Sequence, residues 1–194
     1  MMKNVFLIFV SSSLINNLVL LHFCGLCPLM RAGKNIEIAQ IFSGITTCVI
    51  VISSIWIWIF TKIILVPLQM IYLRYTICVL IIATMVQLVE IIMKKVNPLI
   101  YQSLGIFFPL ITTNCMILNT LLLSIDLKCN FLETIFYVLG TSLGFSLVII
   151  LFSSIQERLT LANIPVPFQG ISIRLITLGL ISLAFMGFQG MINF

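Results

Sequence analysis

Apolar residues run along this chain in long continuous blocks, with none of the two-residue alternation of a half-buried strand. Six blocks stand out, near Val5 to Leu26, Ile38 to Phe60, Ile71 to Met93, Leu99 to Ile125, Phe131 to Ile155 and Ile171 to Ile192, separated by short polar punctuation. A hydrocarbon core of ~30 Å takes about 20 apolar residues per helix, so each block predicts one spanning helix. Barrel strands would alternate over about ten residues and stop. The pattern therefore predicts an all-α integral membrane fold of six transmembrane helices, with residues 1–194 as one membrane domain.

Composition sharpens that reading. Of the 194 residues, 61% are hydrophobic and only 8% charged, and the mean hydropathy is +1.27, beyond what the interior of a water-soluble domain can hold. The first block contains Asn16 and Asn17, runs on through Pro28, and lacks a small-x-small cleavage pattern, so it is read as a retained helix and not as a secretory signal. Formal charge is +5, and its distribution matters more than its sum, because short loops rich in Lys and Arg stay cytoplasmic. Arg31, Lys34, Lys94, Lys95, Arg158 and Arg174 follow helices one, three and five, against Lys3, Lys62, Arg74 and Lys128 on the other side. Both termini are therefore predicted on the periplasmic side of a bacterial inner membrane.

Several function classes fall away. The cations form no run with interleaved aromatics, and the loops are too short for a soluble module, so nucleic-acid binding is excluded. Lys94-Lys95 is the densest basic cluster, which is short of the roughly four to eight cations of a lipid-headgroup patch. It reads as a topology signal. No triad, carboxylate pair or Gly-rich phosphate loop is present, and no catalytic residue is assigned.

Cysteine is where chemistry enters. Of Cys24, Cys27, Cys48, Cys78, Cys115 and Cys129, Cys48 and Cys78 sit alone in apolar helices and read as small apolar filler. Cys129 lies in the loop Asp126-Leu127-Lys128-Cys129 and is given no role. Cys27 and Cys115 differ, because each stands in a polar, helix-breaking surround: Gly25-Leu26-Cys27-Pro28, and Thr112-Thr113-Asn114-Cys115 after Gly105 and Pro109. Such residues persist at membrane depth only where freed backbone groups find partners or line a site, so helices one and four are predicted to break near the membrane middle. Cys24 makes a C-x-x-C with Cys27 and is read as filler, with alternative ligation as the second reading. His22 is read as interfacial. Glu90 is a candidate for ion transfer, with Lys94 four residues on as a ready partner.

The chain also divides into halves of three spans, 1–96 and 97–194, and Phe23-Cys24-Gly25-Leu26-Cys27 can be laid on Ile111-Thr112-Thr113-Asn114-Cys115. An odd number of spans per half inverts the second half, the plan of many transporters. Straight helices would carry Cys27 about 33 Å from Val5 toward the cytoplasm and Cys115 about 24 Å outward from Leu99. A site shared by the two thiols requires both helices to break.

Ile15-Asn16-Asn17-Leu18-Val19-Leu20, Gly25-Leu26-Cys27-Pro28, the run from Gly105 to Cys115, Glu157-Arg158-Leu159, Pro165-Val166-Pro167-Phe168 and Leu183-Ala184-Phe185-Met186-Gly187-Phe188 carry a family resemblance from end to end. The chain resembles the RnfA/RsxA family. The sister NqrE family of sodium-pumping quinone reductases shares the plan but reads less like this sequence around Asn16-Asn17 and Pro165. The resemblance implies a subunit of an Rnf/Rsx complex, which couples ferredoxin- and nicotinamide-linked electron transfer to ion movement across the inner membrane. It further implies a 2Fe-2S cluster shared with a homologous, inverted RnfE/RsxE-like subunit, flavins and other clusters being held by other subunits. Cys27 and Cys115 would be this chain's two metal ligands. Such a cluster takes four thiolates, so the other two come from the partner. Gly25, Pro28, Thr113 and Asn114 would surround the cluster, with Thr113, Asn114 and backbone amides donating hydrogen bonds to sulfur.

Two other classes predict different behaviour. A thiol-disulfide carrier of the CcdA type also pairs a cysteine of helix one with one of helix four, needs no iron, and forms a disulfide within one chain. A small-solute exporter would use the broken helices as a substrate path and tolerate loss of both cysteines.

Overall fold

The computed structural model describes residues 9, 11–15, 17–32, 36–65, 71–96, 108–126, 131–162, 165 and 169–189. These contain helices and turns and no strand. In chain order the helices are α1 (Ser11–Ile15), α2 (Leu18–Leu21), α3 (Leu26–Ala32), α4 (Ile36–Phe60, continued by a wider turn over Thr61–Leu65), α5 (Arg74–Val96), α6 (Phe108–Thr112), α7 (Cys115–Asp126), α8 (Phe131–Thr160) and α9 (Ile171–Gln189).

Four helical stretches are long and apolar enough to cross a membrane, at Ile36–Ile63, Arg74–Val96, Pro109–Asp126 and Phe131–Thr160, and Ile171–Gly187 forms a shorter apolar one. The first predicted block is not one uninterrupted helix. It is divided into the short pieces α1, α2 and α3, with turns at Asn17 and at 22–25. The fourth block is helical from Phe108, where α6 hands over to α7; Asn16, the stretch 97–107 with Gly105, and Lys128 and Cys129 lie outside the described residues. Arg74 is the first residue of α5.

Small polar residues share the interior with an apolar core of Phe42, Phe145 and Phe152, and large apolar residues also cover the outside. Ser53, Thr46, Thr120 and Ser142 are fully buried, whereas Leu80, Ile91, Leu180 and Leu183 stand more than 60% exposed. Helices in lipid gain nothing by hiding leucine from lipid tails, and they gain packing and hydrogen bonds by turning small polar residues inward. The buried hydroxyls mostly donate to carbonyls three or four residues back in their own helix, as from Thr46 to Phe42 (2.7 Å), Thr120 to Met116 (2.8 Å) and Thr141 to Val138 (3.0 Å). One end of the bundle is ringed by Trp56, Trp58, Phe131, Tyr72 and Tyr75, with Lys62 lying over the Trp58 ring at 5.0 Å. Aromatic rings with cations among them suit the headgroup level.

Helices α4 and α8 share the most extensive contact and form the centre. Across their seam Ser146 donates to Ser43 at 3.1 Å. Around this pair the packing crosses over: α5 covers α6 and α7, whereas α9 covers α1 and α2. The short helices α1 and α2 are thus flanked by α9, and α6 and α7 by α5. Polar bonds follow the same crossing. Arg74 at the start of α5 donates to the Leu122 carbonyl (3.0 Å) and pairs with Asp126 (2.6 Å), both on α7. Near the start of α9, Arg174 donates to the Met30 carbonyl of α3 (2.9 Å), and Ser182 donates to the Leu20 carbonyl of α2 (3.1 Å).

Candidate functional site

Two turns meet, one after α2 and one before α7, with Gly25 and Asn114 buried between them. Each is built by an asparagine or a glycine at a helix start. Asn17 caps α2: its Oδ1 accepts from the Val19 amide at 3.1 Å, and its carbonyl accepts from Leu20 and Leu21. Asn114 caps α7 with the same atoms: Oδ1 accepts from the Met116 amide at 3.1 Å, and its carbonyl accepts from Ile117 and Leu118. An asparagine in this position satisfies backbone donors that the first helical turn leaves open, which matters most where water is scarce.

Between α2 and α3 the chain reverses through His22, Phe23, Cys24 and Gly25, with Phe23 at φ 50° and Gly25 at φ 88°. Glycine adopts that left-handed conformation without steric cost. Space demands it as well, since a Cβ on Gly25 would lie 3.1 Å from the Phe145 ring and 3.3 Å from both Asn114 Oδ1 and Met116 Cβ. The Gly25 carbonyl then receives the Leu29 amide and opens α3. Pro28 is buried in the first turn of α3, where a missing N–H is tolerated.

The contact that joins the turns is a hydrogen bond from the Gly25 amide to the Sγ of Cys115, at 3.0 Å. Cys115 is the first residue of α7 and Cys27 the second residue of α3, and both side chains are exposed on this chain. The structure therefore brings Cys115 against the peptide two residues before Cys27. It also brings in Cys24, which the apolar surroundings in the sequence cast as filler. Asn119 Nδ2, on the same helix as Cys115, points to Cys24 Sγ at 3.8 Å. Asn119 carries no motif in the sequence, although it follows Cys115 by one helical turn and is the polar residue that a 3.6-residue period would place beside it.

The four surrounding residues divide. Gly25 donates its backbone N–H to sulfur, as described. The Thr113 hydroxyl is committed elsewhere, to the Pro109 carbonyl at 3.0 Å, as is that of Thr112 at 2.7 Å; the expectation that Thr113 donates to a thiol gives way to this. Asn114 is 3% exposed, and with Oδ1 fixed by the Met116 amide its Nδ2 has no partner among the described residues. Buried amide N–H groups are seldom left so. His22 is exposed in the turn. Glu90 and Lys94 lie on α5, the helix that covers α6 and α7. Among the described residues no three His, Cys, Asp or Glu side chains gather as a metal-binding group.

A multi-pass helical membrane protein in which one turn's backbone amide holds the cysteine that opens another helix is the class these features define. The chain belongs to the Rnf-Nqr family: a model described as "Rnf-Nqr subunit, membrane protein" matches residues 5–192. It is similar to an Escherichia fergusonii protein named as the A component of an ion-translocating oxidoreductase complex, with 48% identity over 192 residues, covering 99% of this chain and all of the relative. Proteins of the same name from Photorhabdus laumondii and Cronobacter sakazakii are 48% and 46% identical over 193 residues, covering both chains completely. The thiol-disulfide carrier and exporter readings find no support in this family assignment.

Proposed function

We propose that this chain is a membrane subunit of an ion-translocating oxidoreductase complex, coupling ferredoxin- and nicotinamide-linked electron transfer to ion movement, and that Cys27 and Cys115 supply half of an intramembrane 2Fe-2S cluster. The carrying observation is the Gly25 N–H to Cys115 Sγ bond, which joins the turn before Cys27 to the start of α7. Relatives alike over their full length bear the name of such a complex. By itself this chain is assigned no catalytic group; it works as part of a translocase.

The residues present suit such a centre. Thiolates and inorganic sulfides are hydrogen-bond acceptors, and the site offers donors with nothing else to bond: the Gly25 amide already on sulfur and the orphaned Asn114 Nδ2. When bound, the cluster supplies one-electron transfer at membrane depth. This chain holds Cys115 with the Gly25 amide, packs Phe145 and Met116 against Gly25, and keeps donors that tune sulfur basicity. The remaining two thiolates belong to a homologous RnfE/RsxE-like subunit of inverted topology, with flavins and further clusters on other subunits.

The same proposal includes six spans as two inverted repeats, residues 1–96 and 97–194. Its support is the matched capping by Asn17 and Asn114, and the crossed bracing by Arg74 and Arg174. The cation bias supports an orientation with both termini on the periplasmic side of a bacterial inner membrane. Iron and acid-labile sulfide in the purified assembly test the reading. Both should fall to background in Cys27→Ser and in Cys115→Ser, and retention in either variant rejects that residue as a ligand.

A further inference from the structure

The two cysteines assigned to metal are held by unequal means. Cys115 takes the Gly25 amide on its sulfur at 3.0 Å. Cys27 stands exposed on α3 with no hydrogen bond to its sulfur among the described residues, so its place is set by where α3 lies. That helix has seven residues, and helices shorter than about 12 residues do not hold their shape alone. It packs on α4, α6 and α8. Apolar packing is non-directional, whereas a hydrogen bond fixes both distance and angle.

Arg174 supplies such a bond. Its Nη1 donates to the Met30 carbonyl at 2.9 Å, in the last turn of α3, where the helix leaves its own carbonyls open. Met30 follows Cys27 by three residues, which puts it on the same face of the helix and about 4.5 Å along the axis. The arginine is itself anchored. Thr177 donates to the Arg174 carbonyl at 2.9 Å and accepts from Gln156 Nε2 at 3.2 Å. Both Thr177 and Gln156 are buried, and Gln156 belongs to α8, one of the two central helices. Replacing such a pair by apolar groups of the same shape is close to neutral for stability, so what the pair contributes is a fixed register between α8 and α9. One line of polar contacts thus runs from the centre of the bundle to the helix that bears Cys27.

Resting on the cluster reading above, we propose that Arg174 is a positioning residue for Cys27: anchored through Thr177 and Gln156, it fixes α3 by the Met30 carbonyl and so sets where that ligand stands. A single donor makes the contact, so a lysine of similar reach can replace it, whereas an apolar side chain cannot. The guanidinium charge beside α3 also favours the more negative, reduced form of a nearby cluster, and its removal lowers the reduction potential.

The test uses the whole complex in membranes and two kinds of readout. Amide hydrogen exchange, followed by peptide mass after iron is removed with a chelator, reads α3 independently of any cluster. Arg174→Leu should speed exchange across Leu26–Ala32 several-fold and leave Cys115–Asp126 as in the native complex. Arg174→Lys should restore the native rate, and Thr177→Val should give a smaller rise of the same kind. Arg74→Leu, which cuts the brace on α7, should do the reverse, loosening α7 and sparing α3. The iron-loaded complex is then followed by electron paramagnetic resonance and redox titration. Arg174→Leu should alter the line shape of the reduced cluster and lower its potential, and Arg174→Lys should return both. If Arg174→Leu does not assemble, Thr177→Val carries the same readouts. Native exchange across α3 in Arg174→Leu overturns the proposal, as does exchange that rises equally in α3 and α7. So does faster exchange in α3 with an unchanged spectrum and potential, which would leave Arg174 a structural brace, and so does failure of Arg174→Lys to restore either readout. Iron content judges the cluster reading separately: a Cys27→Ser complex that keeps its iron sinks that reading, while the exchange rates still decide whether Arg174 holds α3.

Discussion

Asn17 and Asn114 are one device used twice with different outcomes. Both start a helix within a broken span, and both bond the amide two residues on through Oδ1 at 3.1 Å. They differ at Nδ2. That of Asn17 donates to the Gly144 carbonyl of α8 at 3.1 Å and reaches the Ser13 carbonyl at 3.4 Å, so the first turn is locked onto the central helix. That of Asn114 bonds nothing among the described residues. One turn is thereby structural throughout, whereas the other keeps a donor in reserve where sulfur stands. The lesson is that a helix cap can serve as scaffold and as binding group, and that the second role shows as an unsatisfied atom.

The largest effect should come from closing the space under the locked turn. A Cβ on Gly144 would lie 2.5 Å from the Ser13 carbonyl oxygen, so Gly144→Ala must displace backbone and should cost about 3 kcal/mol or more. Gly179→Ala, in α9 with nothing within 4 Å, should be neutral or gain up to about 1 kcal/mol from helix propensity. Thermal unfolding of the purified complex compares them, and equal midpoints would dissolve the argument for close packing. Next is Asn17→Ala, which removes a cap and leaves the Gly144 carbonyl without its donor, for about 2–3 kcal/mol. Asn114→Ala removes a cap and also an unsatisfied N–H, for about 1 kcal/mol, and should shift the cluster's reduction potential. An unchanged potential would remove Asn114 from the cluster's surroundings. The smallest effect is expected of Asp126→Asn: the carboxylate is 58% exposed, so its loss should cost less than about 1 kcal/mol, with Arg74 still held by the Leu122 carbonyl.

The apolar blocks made the spanning helices α4, α5 and α8 legible, because nearly every residue in them agrees. Gly25, Pro28 and Asn114 likewise announced interruption, since breakers in an apolar run have few other uses. What the sequence concealed was register. Laying Cys27 on Cys115 matched the residues of chemical interest, yet the backbone repeats around Asn17 and Asn114, so Cys115 directly follows its cap and Cys27 comes ten residues after its own. Local geometry is set by the group that satisfies backbone amides, and a thiol is poor at that. The roles of Cys24 and Asn119 were hidden for a related reason: both depend on a contact between residues some ninety positions apart, and neither side of it carries a motif.

The crossed bracing has a consequence for biogenesis. Carbonyls of α2 and α3 find their donors on α9, in Ser182 and Arg174, and α9 emerges from the ribosome after every other described helix. Until it arrives, the earliest interrupted span has exposed main-chain oxygens in lipid. The nascent chain must therefore hold its opening segment provisionally, in the translocon or against a companion protein, and complete it only as synthesis closes. Loss of α9 would be felt first at the far end of the sequence.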